Sequence, residues 1–294
     1  MGESGTSTGF HFITGLPRAG STLLAAILSQ NPRFRAGMTS PVGMLFDNLL
    51  AALSAGSEFA PVTDEGARRR LLRGLFDNYY ADSRHEVIFD TNRLWAARLP
   101  ALCDLFPRAK VIACVRNVAW VMDSLDRLVR ANPYEKTRLF SGDGERNTVY
   151  SRVESLALHD RLVGFAYNAV KEAYYGEHAA HLLVVDYDLL ATAPDKVLRL
   201  IYQFIGEPWF EHDFSNVRYD APAFDDALGL PGLHRVRPRV ALEPRRTVLP
   251  PDLFDRFSKL SFWNDGSASA ANVIRNATAA TVSGIDTQVA NNAS

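Results

Sequence analysis

The sequence predicts an α/β fold, a single domain whose central, mostly parallel sheet is flanked by helices. Short β-branched runs alternate with longer helical stretches, which implies βαβ crossovers. Those runs are apolar almost throughout rather than alternating, as expected when helices cover both faces of a sheet. A glycine-bracketed turn then joins the first run to the first helix, the kind of strand end where open α/β sheets bind ligands.

In chain order, "FHFIT" (10–14) reads as the first strand, followed by a helix from about Ser21 to Gln30. "EVIFDT" (86–91), "KVIACVR" (110–116) and "HLLVVDY" (181–187) are further strands. Helical patterns fill 64–81, 94–106, 118–131, 153–178 and 193–205. The polar, turn-rich stretch 132–152 is long enough for a lid or binding loop. No linker separates two cores, so one domain over 10–265 is expected, after a flexible start at 1–9. The tail 266–294 is rich in Ala, Ser, Thr and Asn and lacks aromatic residues, so it is expected to be disordered or loosely packed.

With 47% hydrophobic and 22% charged residues, the 294-residue chain can bury a full core without disulfides or metal. Net charge is −1, which argues against nucleic acid as a partner and makes any basic site a local one. The two cysteines, Cys103 and Cys114, have neither zinc nor disulfide-framework spacing. Cys114 sits in an apolar strand and reads as a buried, inert thiol. The seven histidines show no paired spacing, so no metal site is expected. No run is long enough to span a bilayer and no signal-peptide design is visible, so the expectation is a cytoplasmic protein without membrane contact. The start fits the loose myristoylation pattern at Gly2 and Thr6, a short and unspecific match. A homodimer is compatible with the sequence but not specified by it.

The chemistry begins at "GLPRAGST" (15–22). Strand, glycine-bracketed loop and helix together point backbone N–H groups and the positive helix end at an anion. Gly15, Pro17, Ala19 and Gly20 shape the loop, and Ser21 and Thr22 add hydroxyl donors. The usual nucleotide loop carries lysine where this chain has Ser21. Its cation is instead Arg18, a planar donor suited to bidentate binding of oxyanions. A second constellation lies in "KVIACVRNVAWVMDSLDRL": Arg116 ends a strand and Ser124 follows eight residues later in the next helix. The two can hold a separate phosphate between them. An ATP site needs no such group, whereas a nucleotide with an extra 3′-phosphate does.

On these residues the chain resembles the sulfotransferases that use 3′-phosphoadenosine 5′-phosphosulfate (PAPS) and release PAP. "GLPRAGSTLL" is similar to their 5′-phosphosulfate loop, and "VRNVAWVMDSL" to their 3′-phosphate segment, with Arg116 and Ser124 on matching positions. "VVDYDLL" with "APDKVLRLIYQFIG" resembles a later strand and helix, and the resemblance places Tyr187 near the adenine. The likeness runs over about 10–265. Within the family, "PRAGSTLL…NPRFRAG…LFPRAKVIACVRN" is most similar to the tyrosylprotein sulfotransferase branch and its bacterial relatives. It implies a P-loop-like fold, PAPS as co-substrate, and a hydroxyl acceptor with peptide tyrosine as one candidate. A small-molecule or carbohydrate hydroxyl is the alternative. A P-loop kinase or NTPase, with Asp186 as magnesium ligand, is disfavoured by the missing lysine and by the Arg116/Ser124 pair.

Sulfuryl transfer needs charge stabilisation and a base. Arg18 suits the first. For the second, the tyrosylprotein branch has a glutamate where this chain has Thr39, and threonine cannot replace it. The cytosolic small-molecule branch has lysine and histidine where this chain has Asp90, Thr91, Asn92 and Arg93. Asp90 is therefore the first candidate base, with a helix cap or a partner for Arg93 as its structural alternative. Arg93 is a candidate for sulfate charge, and His234 is the alternative base. His234 opens "HRVRPRVALEPRR", whose arginines 235, 237, 239, 245 and 246 fit closure over a 3′-phosphate, an acidic acceptor, or a solvated loop.

Overall fold

The computed structural model describes residues 8–134, 136–265 and 268–275. Six strands form one parallel sheet in the order β2-β3-β1-β4-β5-β6. They are β1 (Gly9–Gly15), β2 (Phe34–Ala36), β3 (Val87–Thr91), β4 (Val111–Val115), β5 (Leu182–Asp186) and β6 (Asn272–Val273). Every residue of β3 and β4 is buried, the signature of a sheet covered on both faces. The chain leaves β1 toward β2 on one side and leaves β4 toward β5 on the other. The switch point therefore falls between β1 and β4, where the loops after both strands flank one crevice.

Helices α1 (Ser21–Leu28), α2 (Val42–Ala52) and α3 (Glu65–Tyr79) join β1, β2 and β3. α4 (Leu94–Ala97) and α5 (Leu99–Leu105) precede β4. Between β4 and β5 run α6 (Val118–Ala131), α7 (Asp143–Arg146), α8 (Val149–Ala157) and α9 (Leu162–Tyr175). Beyond β5 come α10 (Tyr187–Thr192), α11 (Pro194–Ile205), α12 (Pro222–Ala227) and α13 (Pro251–Ser258). An aromatic cluster of Phe12, Phe46, Phe76, Trp95 and Phe106 locks α2, α3 and α4 onto β1, with ring centroids 5.1–6.1 Å apart. Such pairs contribute about 0.5–1.5 kcal/mol each beyond their buried area.

Three expectations change. The helix expected over 94–106 divides into α4 and α5, because Pro100 has no N–H to continue the ladder. The helix expected over 153–178 divides at 158–161, where Leu158 takes an extended ψ of 148°. A tertiary contact fixes that break: Arg161 binds Ser141 Oγ at 2.6 Å and Glu145 at 2.9 Å, pinning the segment before α7. The tail expected to be loose from Gly266 supplies an edge strand instead. β6 pairs with β5, and Ile274 is buried with its N–H donated to Val184. That pairing is invisible to composition because it depends on the unpaired edge of β5. Residues 1–7 of the expected flexible start and 276–294 of the tail lie outside the described residues; Gly9 already belongs to β1.

Candidate active site

The phosphate loop is built by close approach of backbones. Gly15 has φ 125°, and a Cβ there would stand 2.0 Å from the Cys114 carbonyl of β4. Leu16 N–H donates to that same carbonyl at 2.9 Å, which clamps the loop onto β4. Gly20 is left-handed at φ 94°, and its missing Cβ makes room for the Tyr187 ring. α1 starts at Ser21 with no side-chain cap, so its first N–H groups are left for an anion. Among the described residues Arg18 is the only non-glycine with positive φ, at 58°. This left-handed conformation costs about 1–2 kcal/mol, and such strain is concentrated at functional positions.

From that strained position Arg18 reaches across the crevice. Nε donates to Ser124 Oγ at 3.1 Å and a terminal nitrogen donates to the Leu233 carbonyl. Burial first, and repulsion from Arg116 second, hold its guanidinium down at about 10, still charged at neutral pH. Arg116 lies over the Tyr187 ring at 4.2 Å. Its Nε is 3.8 Å from Asp188 Oδ1, beyond hydrogen-bond range, and both atoms are buried without a hydrogen-bond partner among the described residues. The loop residues Gly15, Pro17, Arg18, Gly20, Ser21 and Thr22 line one cavity of about 700 Å³ together with Arg116, Ser124 and Tyr187. Ala19 is buried beneath the loop rather than lining it.

A strap over 240–249 closes one side. Asp123 on α6 is fully buried and anchors it, accepting from Thr247 Oγ1 at 3.0 Å and Val248 N–H at 2.7 Å. Its other oxygen pairs with Arg127 at 3.0 Å and Arg245 at 2.9 Å, and Arg245 also covers Trp120. Arg127 and Arg245 thereby come to the cavity wall beside Arg116.

The candidate bases separate clearly. Asp90 does not line the cavity. It is 1% exposed, and its carboxylate accepts from Ser40 Oγ at 2.5 Å, Tyr80 Oη at 2.6 Å and Trp95 Nε1 at 2.8 Å. Burial raises its pKa against the opposing effect of those donors. The correction is one of strand alternation: successive residues of β3 face opposite ways, so Asp90 enters the packed layer while Thr91 faces the crevice. Arg93 is exposed and lines the cavity, forming no ion pair with Asp90; its carbonyl accepts from Thr14. His234 also lines it. His234 Nδ1 is 2.5 Å from Oδ1 of Asp225, a carboxylate with 0% exposure, and its backbone N–H meets Oδ2 at 2.9 Å. A carboxylate only accepts, so Nδ1 carries a proton, and in the neutral ring the lone pair lies on Nε2. Thr39 lies on the wall without a carboxylate's chemistry.

Asp225 and Asp123 are buried carboxylates beside the cavity that sequence reasoning missed. Asp225 lies four residues after Ala221 and three before Leu228, on an inward helical face, a faint signal. Asp123 shows locally only an i,i+4 pair with Arg127, while the strap residues Thr247 and Val248 that it anchors lie more than a hundred positions away. Asp186, the magnesium ligand of the kinase alternative, caps α10 by accepting from Asp188 N–H at 2.8 Å. Cys103 and Cys114 are free thiols, and burial pushes Cys114 up to about 12, fitting the inert reading. Among the described residues no helix is long and apolar enough to cross a membrane.

A family model described as "Sulfotransferase family" matches residues 11–211, more than half of the chain, and the chain belongs to that family. Similar solved structures include the sulfotransferase domain of the Synechococcus PCC 7002 olefin synthase, at 16% identity and a TM-score of 0.50. That match covers 88% of this chain and 96% of that one, and it shows the shared fold. A sulfotransferase from Alicyclobacillus acidocaldarius is similar at 20% identity, 75% and 89% coverage and a TM-score of 0.45. Mouse sulfotransferase SULT7A1, solved with PAP, is similar at 15% identity, 87% and 85% coverage and a TM-score of 0.46. No curated protein sequence matches significantly.

Proposed function

We propose that this sulfotransferase moves a sulfuryl group from PAPS to a hydroxyl acceptor, with His234 as base and Asp225 positioning it. One observation carries the donor assignment: beside a loop without lysine, Arg116 and Ser124 line the same cavity as the loop, and Arg116 Nε makes no hydrogen bond among the described residues. A 3′-phosphate between Arg116 and Ser124 satisfies the cation, while the loop N–H groups and Arg18 receive the 5′-phosphosulfate. Tyr187, held under Arg116, offers a face for the adenine.

In the transfer, the acceptor oxygen forms a bond to sulfur as the bond from sulfur to the 5′-phosphate oxygen breaks. The acceptor's proton passes to His234 Nε2, and the departing electron pair stays on PAP, where Arg18 and the loop stabilise it. The His234–Asp225 contact holds the imidazole tautomer that can accept. Arg93, which lines the same cavity, supplies further positive charge toward the sulfate. Thr39 stands where the tyrosylprotein branch has a glutamate and cannot take the proton, so His234, which lines the same cavity, takes that role. Thermal shifts with PAP, ATP and ADP test the donor assignment: PAP stabilises most, and stabilisation by ATP but not PAP rejects it.

A further inference from the structure

We infer that the acceptor is a small amphipathic molecule, an alcohol or phenol on an apolar body ending in a carboxylate or another anion. This rests on the sulfuryl-transfer reading above and narrows it. The cavity holds more positive charge than the donor uses. Arg18 and Arg116 serve the donor, and Arg127 and Arg245 are already paired with Asp123. Arg138, Arg235 and Arg239 also line the cavity, and among the described residues none of their guanidiniums has a hydrogen-bond or ion-pair partner. Arg237, by contrast, is paired with Glu243. Three exposed, unpaired arginines around one cavity, in a chain of net charge −1, form a local cationic rim that suits an anionic group.

The wall next to them is apolar. Leu139, Leu162, Leu228, Leu230 and Leu233 face the cavity, and the Phe224 ring stands edge-on to the His234 imidazole at 5.5 Å. An acceptor hydroxyl at His234 thus places the body of the molecule against leucines and its far end toward the arginine rim. A small molecule fits better than a peptide, because the roof is tied down from several sides. Thr137 Oγ1 and Arg138 N–H meet the Leu228 carbonyl at 3.5 Å and 3.4 Å, and Val236 N–H donates to Tyr219. An extended chain would need that roof opened.

The test uses the full chain with PAPS and matched hydroxyl acceptors: ω-hydroxyalkanoates and hydroxyphenylalkanoates of graded length, each also as its methyl amide and as a trimethylammonium analogue. A tyrosine peptide flanked by glutamates completes the set. The carboxylates are expected to exceed their amides about tenfold in kcat/KM, the effect of one charge-assisted contact, with the ammonium analogues lowest. Arg138→Gln with Arg239→Gln should bring the carboxylate-to-amide ratio toward one while the PAP thermal shift persists. Equal or inverted ranking overturns the inference. So do preference for the acidic peptide, and failure of every carboxylate with a protein that PAP stabilises. Absence of PAP stabilisation instead rejects the donor reading itself.

Discussion

Arg18 donates from Nε to Ser124 Oγ over 3.1 Å, although the two residues answer to different phosphates of the expected donor. The loop's cation thus reaches across the crevice to Ser124 and toward Leu233. Because burial and Arg116 disfavour its charge, any anion between the two cations relieves a repulsion built into the fold.

Replacing Arg18 should accordingly damage chemistry and donor binding together. Arg18→Ala is expected to lower kcat about 10²–10³-fold, the usual effect of removing one donor to a developing oxyanion. Arg18→Lys should recover little, because a point charge cannot reach Ser124 and the transferring group at once. Single-turnover rates and PAP thermal shifts, measured side by side, check both parts.

The dyad gives a prediction that separates chemistry from binding. His234→Gln is expected to lower turnover about 10²–10⁴-fold while PAP stabilisation remains. Asp225→Asn keeps the volume but can present an amide N–H to Nδ1, which favours the tautomer with its lone pair on the wrong side. It should therefore fall nearly as far in kcat while KM for the acceptor changes little. A large rise in KM with kcat preserved would show that the pair only shapes the pocket.

Asp90 predicts the opposite pattern. Its carboxylate ties Ser40, Tyr80 and Trp95 together inside the packed layer. In Asp90→Asn the hydroxyls of Ser40 and Tyr80 can reverse their roles, so a loss of about 1–3 kcal/mol in stability is expected, with kcat within about threefold of the parent. Its raised folded pKa also fixes a sign. The protonated form is favoured in the fold, so this group's contribution is complete below the ordinary carboxylate pKa and declines as pH rises through the folded value. That decline should vanish in Asp90→Asn, as urea titrations at several pH values will show.

The difference between Asp90 and Arg18 shows what the sequence could disclose. The loop, Arg116 and Ser124 were legible because strand, glycines and helix follow one another locally and set their own geometry. β1, β3, β4, β5 and α6 were legible from apolar runs and helical periodicity. Asp90 was misplaced because an aspartate at a strand end faces ligand or core according to a single-residue alternation. The dyad needed α12 to turn Asp225 inward toward a residue nine positions later. The strap needed Asp123 to meet Thr247 and Val248, a pairing 124 and 125 residues apart. β2, β6 and α2 are short or depend on neighbours, so no local pattern announces them.

His11 sets the acid limit of the fold. It lies in β1, 5% exposed, with Nδ1 accepting the Lys110 N–H at 3.1 Å. Burial first, then the Lys110 charge, lowers its pKa to about 4 from an ordinary 6.5. The fold requires neutral imidazole, so this contribution is present above 6.5 and is lost as pH falls through about 4. Charging the ring over that interval should cost about 3 kcal/mol, taking about 1.4 kcal/mol for each pKa unit. His11→Asn keeps an acceptor near the Lys110 N–H without a titrating ring. It is expected to start less stable at pH 7, from lost packing against Phe89, but to show a flatter decline between pH 6.5 and 4. Denaturant midpoints at half-unit steps of pH decide it: parallel declines in parent and variant would assign acid lability to other groups.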